Sequence, residues 1–224
     1  MVDACKDLGA ERVIAVVPYF PYARQDKRFL PGEPISVNTV IKSIESAGAD
    51  EVITFDIHEV HIMERFSVPA HNLTAMRLLA EHVKSLDLES PFVLAPDQGA
   101  MRLAKPFAEV LETDCDFFIK HRDRVTGEIE TKEKELSVEG RDAILVDDII
   151  STGGTMAKAA QILKKLGARR IVAACTHPIL CGNAVQRMRD AGIEEIIGTD
   201  SIEGPYSKVS LAPEVASFLS KVAE

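Results

Sequence analysis

Residues 143–156 read AILVDDIISTGGTM, an apolar run that meets two adjacent acids and then a turn of small, hydroxylated residues. Gly153 and Gly154 let a ligand approach the backbone closely, and successive N–H groups at the start of a following helix favour an anion there. Ser151, Thr152 and Thr155 add hydroxyl donors. The carboxylates of Asp147 and Asp148 repel a phosphate but suit vicinal hydroxyls or a magnesium-bound sugar. An anion cradle beside a diol acceptor describes a sugar phosphate site. A structural helix with an acidic cap is the competing reading, and it leaves five small or hydroxylated residues in register unexplained.

Such a turn needs a buried strand before it and a helix after it, and the whole chain alternates the two. Short apolar, β-branched runs predict strands at Val13–Val17, Val52–Phe55, Phe92–Ala95, Phe117–Lys120, Ala143–Val146, Ile171–Ala174 and Glu195–Ile197. Their near-continuous apolar character fits a parallel sheet covered on both faces. Val37, Val40, Ile41 and Ile44 recur at helical spacing, with Gly48 where that helix would stop. Thr74 is placed to cap a helix carrying Leu78, Leu79, Val83 and Leu86, and Gly154 opens one carrying Met156, Ala159, Ala160 and Leu163. The alternation predicts an α/β protein.

The pattern repeats. GAERVIAVVPYFP from Gly9 resembles GARRIVAACTHPI from Gly167, and AGADEVITFDIHE from Ala47 resembles AGIEEIIGTDSIE from Ala191. The glycines lie 39 residues apart in the first copy (Gly9 to Gly48) and 25 in the second (Gly167 to Gly192), so the first holds 14 extra residues. These fall most naturally in the polar stretch around positions 24–34. Two related α/β domains in tandem are the simplest reading of the repeat, and chance similarity between α/β units is the competing one. Laid on the second copy, Met1 falls opposite Ala159, inside a helix, so the first domain is expected to lack its leading strands.

The 224 residues carry Lys+Arg 26 against Asp+Glu 35, a net charge of −9 that disfavours a nucleic-acid or anionic-membrane partner. No apolar run approaches the roughly 18–20 residues of a membrane span. The opening MVDACKDLGAE lacks the basic and apolar regions of a secretory signal. Cys5, Cys115, Cys175 and Cys181 show no CxxC pairing or framework density, which predicts reduced thiols and a cytoplasmic location. Neither GxxxxGK[ST] nor GxGxxG occurs, so any nucleotide site is of another kind.

VDDIISTGGT resembles the phosphoribosyl-diphosphate motif of type I phosphoribosyltransferases and ribose-phosphate diphosphokinases. VPYFPYARQDK (17–27), FDIH (55–58), APDQGAMR (95–102) and AACTH (173–177) point to the diphosphokinases, with YARQDK specific to them. The resemblance spans nearly the whole chain. It implies two tandem phosphoribosyltransferase-like domains with parallel sheets flanked by helices, an incomplete one over 1–70 and a second over 71–224, whose last helix is able to pack on the first. It implies transfer of the diphosphoryl group of ATP to O1 of ribose 5-phosphate in nucleotide biosynthesis, with magnesium, in a homo-oligomer with a shared active site.

Carried over by residue, Asp147 and Asp148 meet the ribose hydroxyls, and Ser151, Thr152, Gly153, Gly154 and Thr155 hold the 5-phosphate. Family loops begin with Asp where this chain has Ser151, a change that removes a negative charge and leaves a donor. Arg24, Gln25 and Asp26 match the ATP loop, which on composition alone reads as a solvated charged segment. His58 and Asp97 match the magnesium ligands, and magnesium that keeps its waters needs few protein groups. His58 and His61 stand at i, i+3, which is not the spacing of HExxH. Lys120 and Arg122 match the cationic catalytic loop, with His121 replacing its middle Arg, and cations there stabilise charge on the transferred group. The polar stretch after Arg122, with Gly127 at its centre, fits a lid, while 128–135 reads as an exposed hairpin. Two rivals stand beside this reading: a truncated or non-catalytic relative that binds ligands or partners, and a type I phosphoribosyltransferase acting on a base.

Overall fold

The computed structural model describes residues 1–122, 129–132 and 136–222, with the side chains of 119–135 outside the description. The chain divides into two compact units, Met1–Thr74 and Ala75–Glu224.

Unit 1 runs α1 (Val2–Asp7), β1 (Ile14–Val16), α2 (Ser36–Ser46), β2 (Glu51–Phe55), a 3-10 turn (Val60–Arg65) and β3 (Ala70–Leu73). Its sheet is parallel in the order β1-β2-β3. Every residue of β2, the central strand, is buried. Val37 and Ile41 of α2 pack into a core with Val52, Ile57, Ile62 and Phe20. The helix ends at Ser46, two residues before Gly48, as its apolar spacing predicts.

Unit 2 runs α3 (Met76–Lys84), β4 (Phe92–Ala95), α4 (Met101–Leu111), β5 (Cys115–Phe117), β6 (Ile119–Arg122), β7 (Ile129–Lys132), β8 (Asp142–Ile150), α5 (Gly154–Lys165), β9 (Arg170–Pro178), α6 (Ala184–Asp190), β10 (Glu195–Thr199), β11 (Ser207–Val209) and α7 (Ala212–Val222). Six strands form one parallel sheet in the order β11-β10-β9-β8-β4-β5, and β6 and β7 pair separately as an antiparallel hairpin. Met156, Ala159, Ala160 and Leu163 of α5 pack on Leu94, Leu145, Ile171 and Ala173 of the sheet.

The predicted strand Phe117–Lys120 is in fact two. β5 ends at Phe117, Phe118 is buried in the core, and the chain then enters the β6–β7 hairpin. Thr74 does not cap α3, which starts after Ala75; the predicted Leu79 and Val83 are buried together with Met76, while Leu78 is half-buried. β3 and β11 carry too much polar character for the sequence pattern to reveal them: AlaHisAsnLeu and SerLysVal are short edge strands.

The internal repeat is a structural one. Ala15 pairs with Val52 and Val16 with Ile53; the equivalent positions Ala173 and Ala174 pair with Ile196 and Ile197. The same ion pair closes both copies, Arg12 with Glu51 and Arg170 with Glu195. In both, a lysine at the end of the preceding helix lies over the glycine before the second strand, Lys6 over Gly48 and Lys164 over Gly192. The copies differ between strand and helix: residues 17–35 link β1 to α2, whereas 179–183 link β9 to α6.

Candidate active site

In an open parallel sheet the ligand crevice lies outside the carboxyl ends of the strands, where the strand order reverses. In unit 2 the chain runs from β4 outward to β5 and returns to β8 on the other side of β4, so the reversal lies between β4 and β8. Asp97 stands two residues past the end of β4, and Asp147 and Asp148 lie near the end of β8. The fold therefore brings three sequence-predicted carboxylates to one crevice.

Asp148 is buried at 3% exposure, and its Oδ1 accepts from the Ile149 amide at 2.7 Å. Asp147 accepts from the Asp148 amide at 3.0 Å. Burial, together with the carboxylates of Asp148 and Asp97, pushes Asp147 well above the usual carboxylate range. Arg102, from the first turn of α4, sets its Nη2 3.7 Å from Asp148 Oδ2. Asp97 Oδ1 accepts from the Ala100 amide at 3.2 Å, at the mouth of a short 3-10 turn. Asp97, just past the end of β4, offers hard carboxylate oxygens of the type magnesium takes as ligands.

β8 runs directly into the turn 151–153, and α5 begins at Gly154. Gly153 occupies the left-handed region at φ 70°, and a Cβ there would meet the Ala184 carbonyl oxygen at 3.0 Å and Met188 Cγ at 3.1 Å. Conformation and space both demand glycine. Thr152 and Thr155 are exposed, and Ser151 is half-buried with its Oγ 3.7 Å from Cys181 Sγ. Arg187 Nη1 donates to the Thr152 carbonyl at 2.9 Å. Cys175, opposite Asp147 on β9, is a core residue whose thiol is pushed up by burial.

In unit 1, Arg24 and Gln25 are exposed in the loop after β1, and Gln25 Oε1 accepts from Ser36 Oγ at 2.8 Å at the start of α2. Asp26 is buried at 4% exposure, and its Oδ2 lies 3.1 Å from His61 Nε2. His61 Nδ1 lies 3.5 Å from Glu59 Oε2, and the ligand atoms of Asp26, Glu59 and His61 fall within 4.8 Å of one another. Arg65 closes the group, donating from Nη2 to the Asp26 carbonyl at 2.9 Å. His58 is half-buried two residues beyond Asp56, whose φ of 38° turns the chain sharply out of β2. Lys120 and Arg122 lie on β6, opposite Thr131 and Ile129 of β7. The expected lid around Gly127 lies outside the described residues, as do the side chains of the expected hairpin over 128–135.

Comparison with known proteins decides between the kinase and transferase readings. Residues 1–48 match the N-terminal domain of ribose phosphate pyrophosphokinase, and residues 67–207 match the phosphoribosyl transferase domain. The ribose-phosphate pyrophosphokinase of Methanothermobacter thermautotrophicus is 44% identical over 98% of this chain and 76% of its own length. The chain belongs to the ribose-phosphate pyrophosphokinase family. That of Methanopyrus kandleri is likewise 44% identical, over 99% of this chain and 76% of its own. The crystal structure of phosphoribosylpyrophosphate synthetase from Mycobacterium smegmatis superposes with a TM-score of 0.83 at 33% identity, covering 99% of this chain and 75% of that one. Membership makes this pyrophosphokinase a transferase of the kinase class in nucleotide biosynthesis. Among the described residues no helix is long and apolar enough to cross a membrane.

Three residues that contact the candidate site residues escape sequence reasoning: Arg102, Arg187 and His61. Each is a lone charged or imidazole residue on a helical face, with the spacing of an ordinary solvated surface. Arg102 does fall inside the APDQGAMR segment, which is the one signal that could have found it.

Proposed function

We propose that this chain transfers the β,γ-diphosphoryl group of ATP to O1 of ribose 5-phosphate, forming 5-phosphoribosyl 1-diphosphate and AMP. The observation that carries the reading is the continuous run from Asp147 and Asp148 into the 151–155 turn at the switch point of the sheet. Ser151, Thr152 and Thr155 donate to the 5-phosphate, with Gly153 and Gly154 presenting backbone N–H groups. Asp147 and Asp148 bind the ribose hydroxyls and so orient O1. Arg24, Gln25 and Asp26 hold the nucleotide. Asp97 in unit 2 and His58 in unit 1 are each assigned as magnesium ligands, and the ion when bound would neutralise charge on the phosphate oxygens of the nucleotide.

O1 attacks the β-phosphorus in line. The bond between that phosphorus and the bridging oxygen breaks, the oxygen leaves with AMP, and the O1 proton passes to solvent. Lys120 and Arg122 stabilise charge on the transferred and departing oxygens, so positioning and electrostatics supply most of the acceleration. Kinship with metabolic enzymes of nucleotide biosynthesis supports a cytoplasmic setting. Membership of the family is what supports a homo-oligomer sharing its active site.

The deciding assay mixes the protein with magnesium, ATP and ribose 5-phosphate and follows AMP. AMP appearing in step with phosphoribosyl diphosphate is the expected result. ADP in place of AMP, no turnover, or diphosphate release only when a nucleobase and phosphoribosyl diphosphate are supplied would each refute the proposal.

A further inference from the structure

The segment 180–187 grips the 151–153 turn from behind. Leu180 N donates to the Ile150 carbonyl at 2.9 Å, Cys181 N to the Ser151 carbonyl at 2.9 Å, and Arg187 Nη1 to the Thr152 carbonyl at 2.9 Å. Three successive carbonyls are thus held on one side. In a trans peptide the C=O and the next N–H point in opposite directions, so each pinned carbonyl turns the following amide the other way. The amide N–H groups of Thr152 and Gly153 donate to no described residue. Successive N–H groups held like this form an anion-binding concavity.

Two of the three restraints are backbone bonds. The third is a side chain, and it carries a full positive charge. Ala184 and Met188 press against Gly153 from the same helix, leaving the turn little room to shift relative to α6. Arg187 Nη2 also reaches Asn183 Oδ1 at 3.3 Å, which steadies the guanidinium one helical turn from its base.

We infer that Arg187 is a positioning residue for phosphate recognition: by holding the Thr152 carbonyl it aims the Gly153 amide into the turn. This rests on the assignment of the turn to ribose 5-phosphate made above. A guanidinium suits the task better than an ammonium, because its planar fork can hold Thr152 and Asn183 together.

The test measures ribose 5-phosphate binding by calorimetry without ATP, and steady-state KM for both substrates, in wild type, Arg187→Ala, Arg187→Met and Arg187→Lys. The expected result for Ala and Met is a 10- to 100-fold (order-of-magnitude) loss in ribose 5-phosphate affinity and a matching rise in its KM, from the loss of a charge-assisted bond. KM for ATP and kcat stay within about threefold, Lys recovers part of the affinity, and added methylguanidinium lowers the raised KM of Arg187→Ala. Wild type that binds ribose 5-phosphate alongside an Ala or Met variant that binds equally well overturns the role of Arg187 alone. Wild type that fails to bind overturns the phosphate-turn assignment as well. Equal rises in KM for both substrates, or no response to methylguanidinium, reduce Arg187 to a structural residue and also overturn the inference.

Discussion

Replacing Gly153 with alanine perturbs unit 2 through two separable effects. A non-glycine residue in the left-handed region costs about 1–2 kcal/mol, and Gly153 sits at φ 70°. The new Cβ would also lie 3.0 Å from the Ala184 carbonyl oxygen and 3.1 Å from Met188 Cγ. The methionine is flexible, but the carbonyl is helix backbone, so α6 must retreat by a few tenths of an ångström. Overpacking of that kind costs about 1–3 kcal/mol. Together the expectation is a loss of about 2–5 kcal/mol, a large share of the ~5–15 kcal/mol typical of a domain, and a fall in Tm on the order of 10 °C. Gly154→Ala is the matched control. Its φ is not left-handed, and its Cβ would meet only Arg187 Nη1 at 3.7 Å and Thr152 Oγ1 at 3.8 Å, ordinary contacts. At the start of α5 it should be neutral or gain up to about 1 kcal/mol. The chain contains no Trp, so far-ultraviolet circular dichroism during thermal and urea unfolding is the direct readout. Gly153→Ala as stable as wild type, or both variants destabilised alike, would refute the reasoning.

Asp147 is held above the usual carboxylate range by burial and by Asp148 and Asp97. A raised folded-state pKa means that its stabilising contribution is complete below the unfolded value near 3.8 and is lost as pH rises through the folded value. Asp147→Asn should therefore gain stability relative to wild type as pH rises through the folded value, measured without divalent cations, with a flatter stability profile above about pH 4. Adding magnesium should stabilise wild type more than the variant; melting curves with and without the ion check this, and an unchanged pH profile contradicts it. Lys120→Ala should lower kcat by about 10²–10³-fold, the scale of losing one preorganised donor to a developing charge, with ribose 5-phosphate affinity little changed. Single-turnover kinetics and calorimetry on that variant separate the two effects, and near-normal turnover removes Lys120 from the catalytic group.

What the sequence makes legible here is chemistry that is contiguous along the chain. Asp147 through Thr155 can be read in one pass because a strand end, a turn and a helix start are covalently consecutive. The tandem repeat is legible because equivalent residues still make the same pairs, down to Arg12 with Glu51 and Arg170 with Glu195. Arg187 and Arg102 stay hidden because their partners, Thr152 and Asp148, lie far along the chain and meet them only after the sheet has formed. His61 hides behind His58: the more suggestive residue lies in the FDIH segment, while the one that reaches the buried Asp26 is three positions on. Phe118 misleads because an apolar residue between two strands reads as continuous with both. Tertiary burial of that one ring separates β5 from β6.

The matched register of the two copies separates what this architecture holds constant from what it lets vary. Paired strands, ion pair and lysine-over-glycine contact form a frame that tolerates a connection of either 17–35 or 179–183. Closing a longer loop costs little, about 0.6 kcal/mol per doubling, so loop length can drift while the frame stands still. The short connection is confined enough to lie against a neighbouring turn and stiffen it. The long one has structure of its own, with Phe20, Ala23 and Asp26 buried and Gln25 and Asp26 tied to Ser36 and Arg65. A duplicated scaffold can in this way give its two halves different local structure by altering one connection, and the exposed run from Lys27 to Gly32, beyond the buried Asp26, is where a label or a tag would disturb the sheet least.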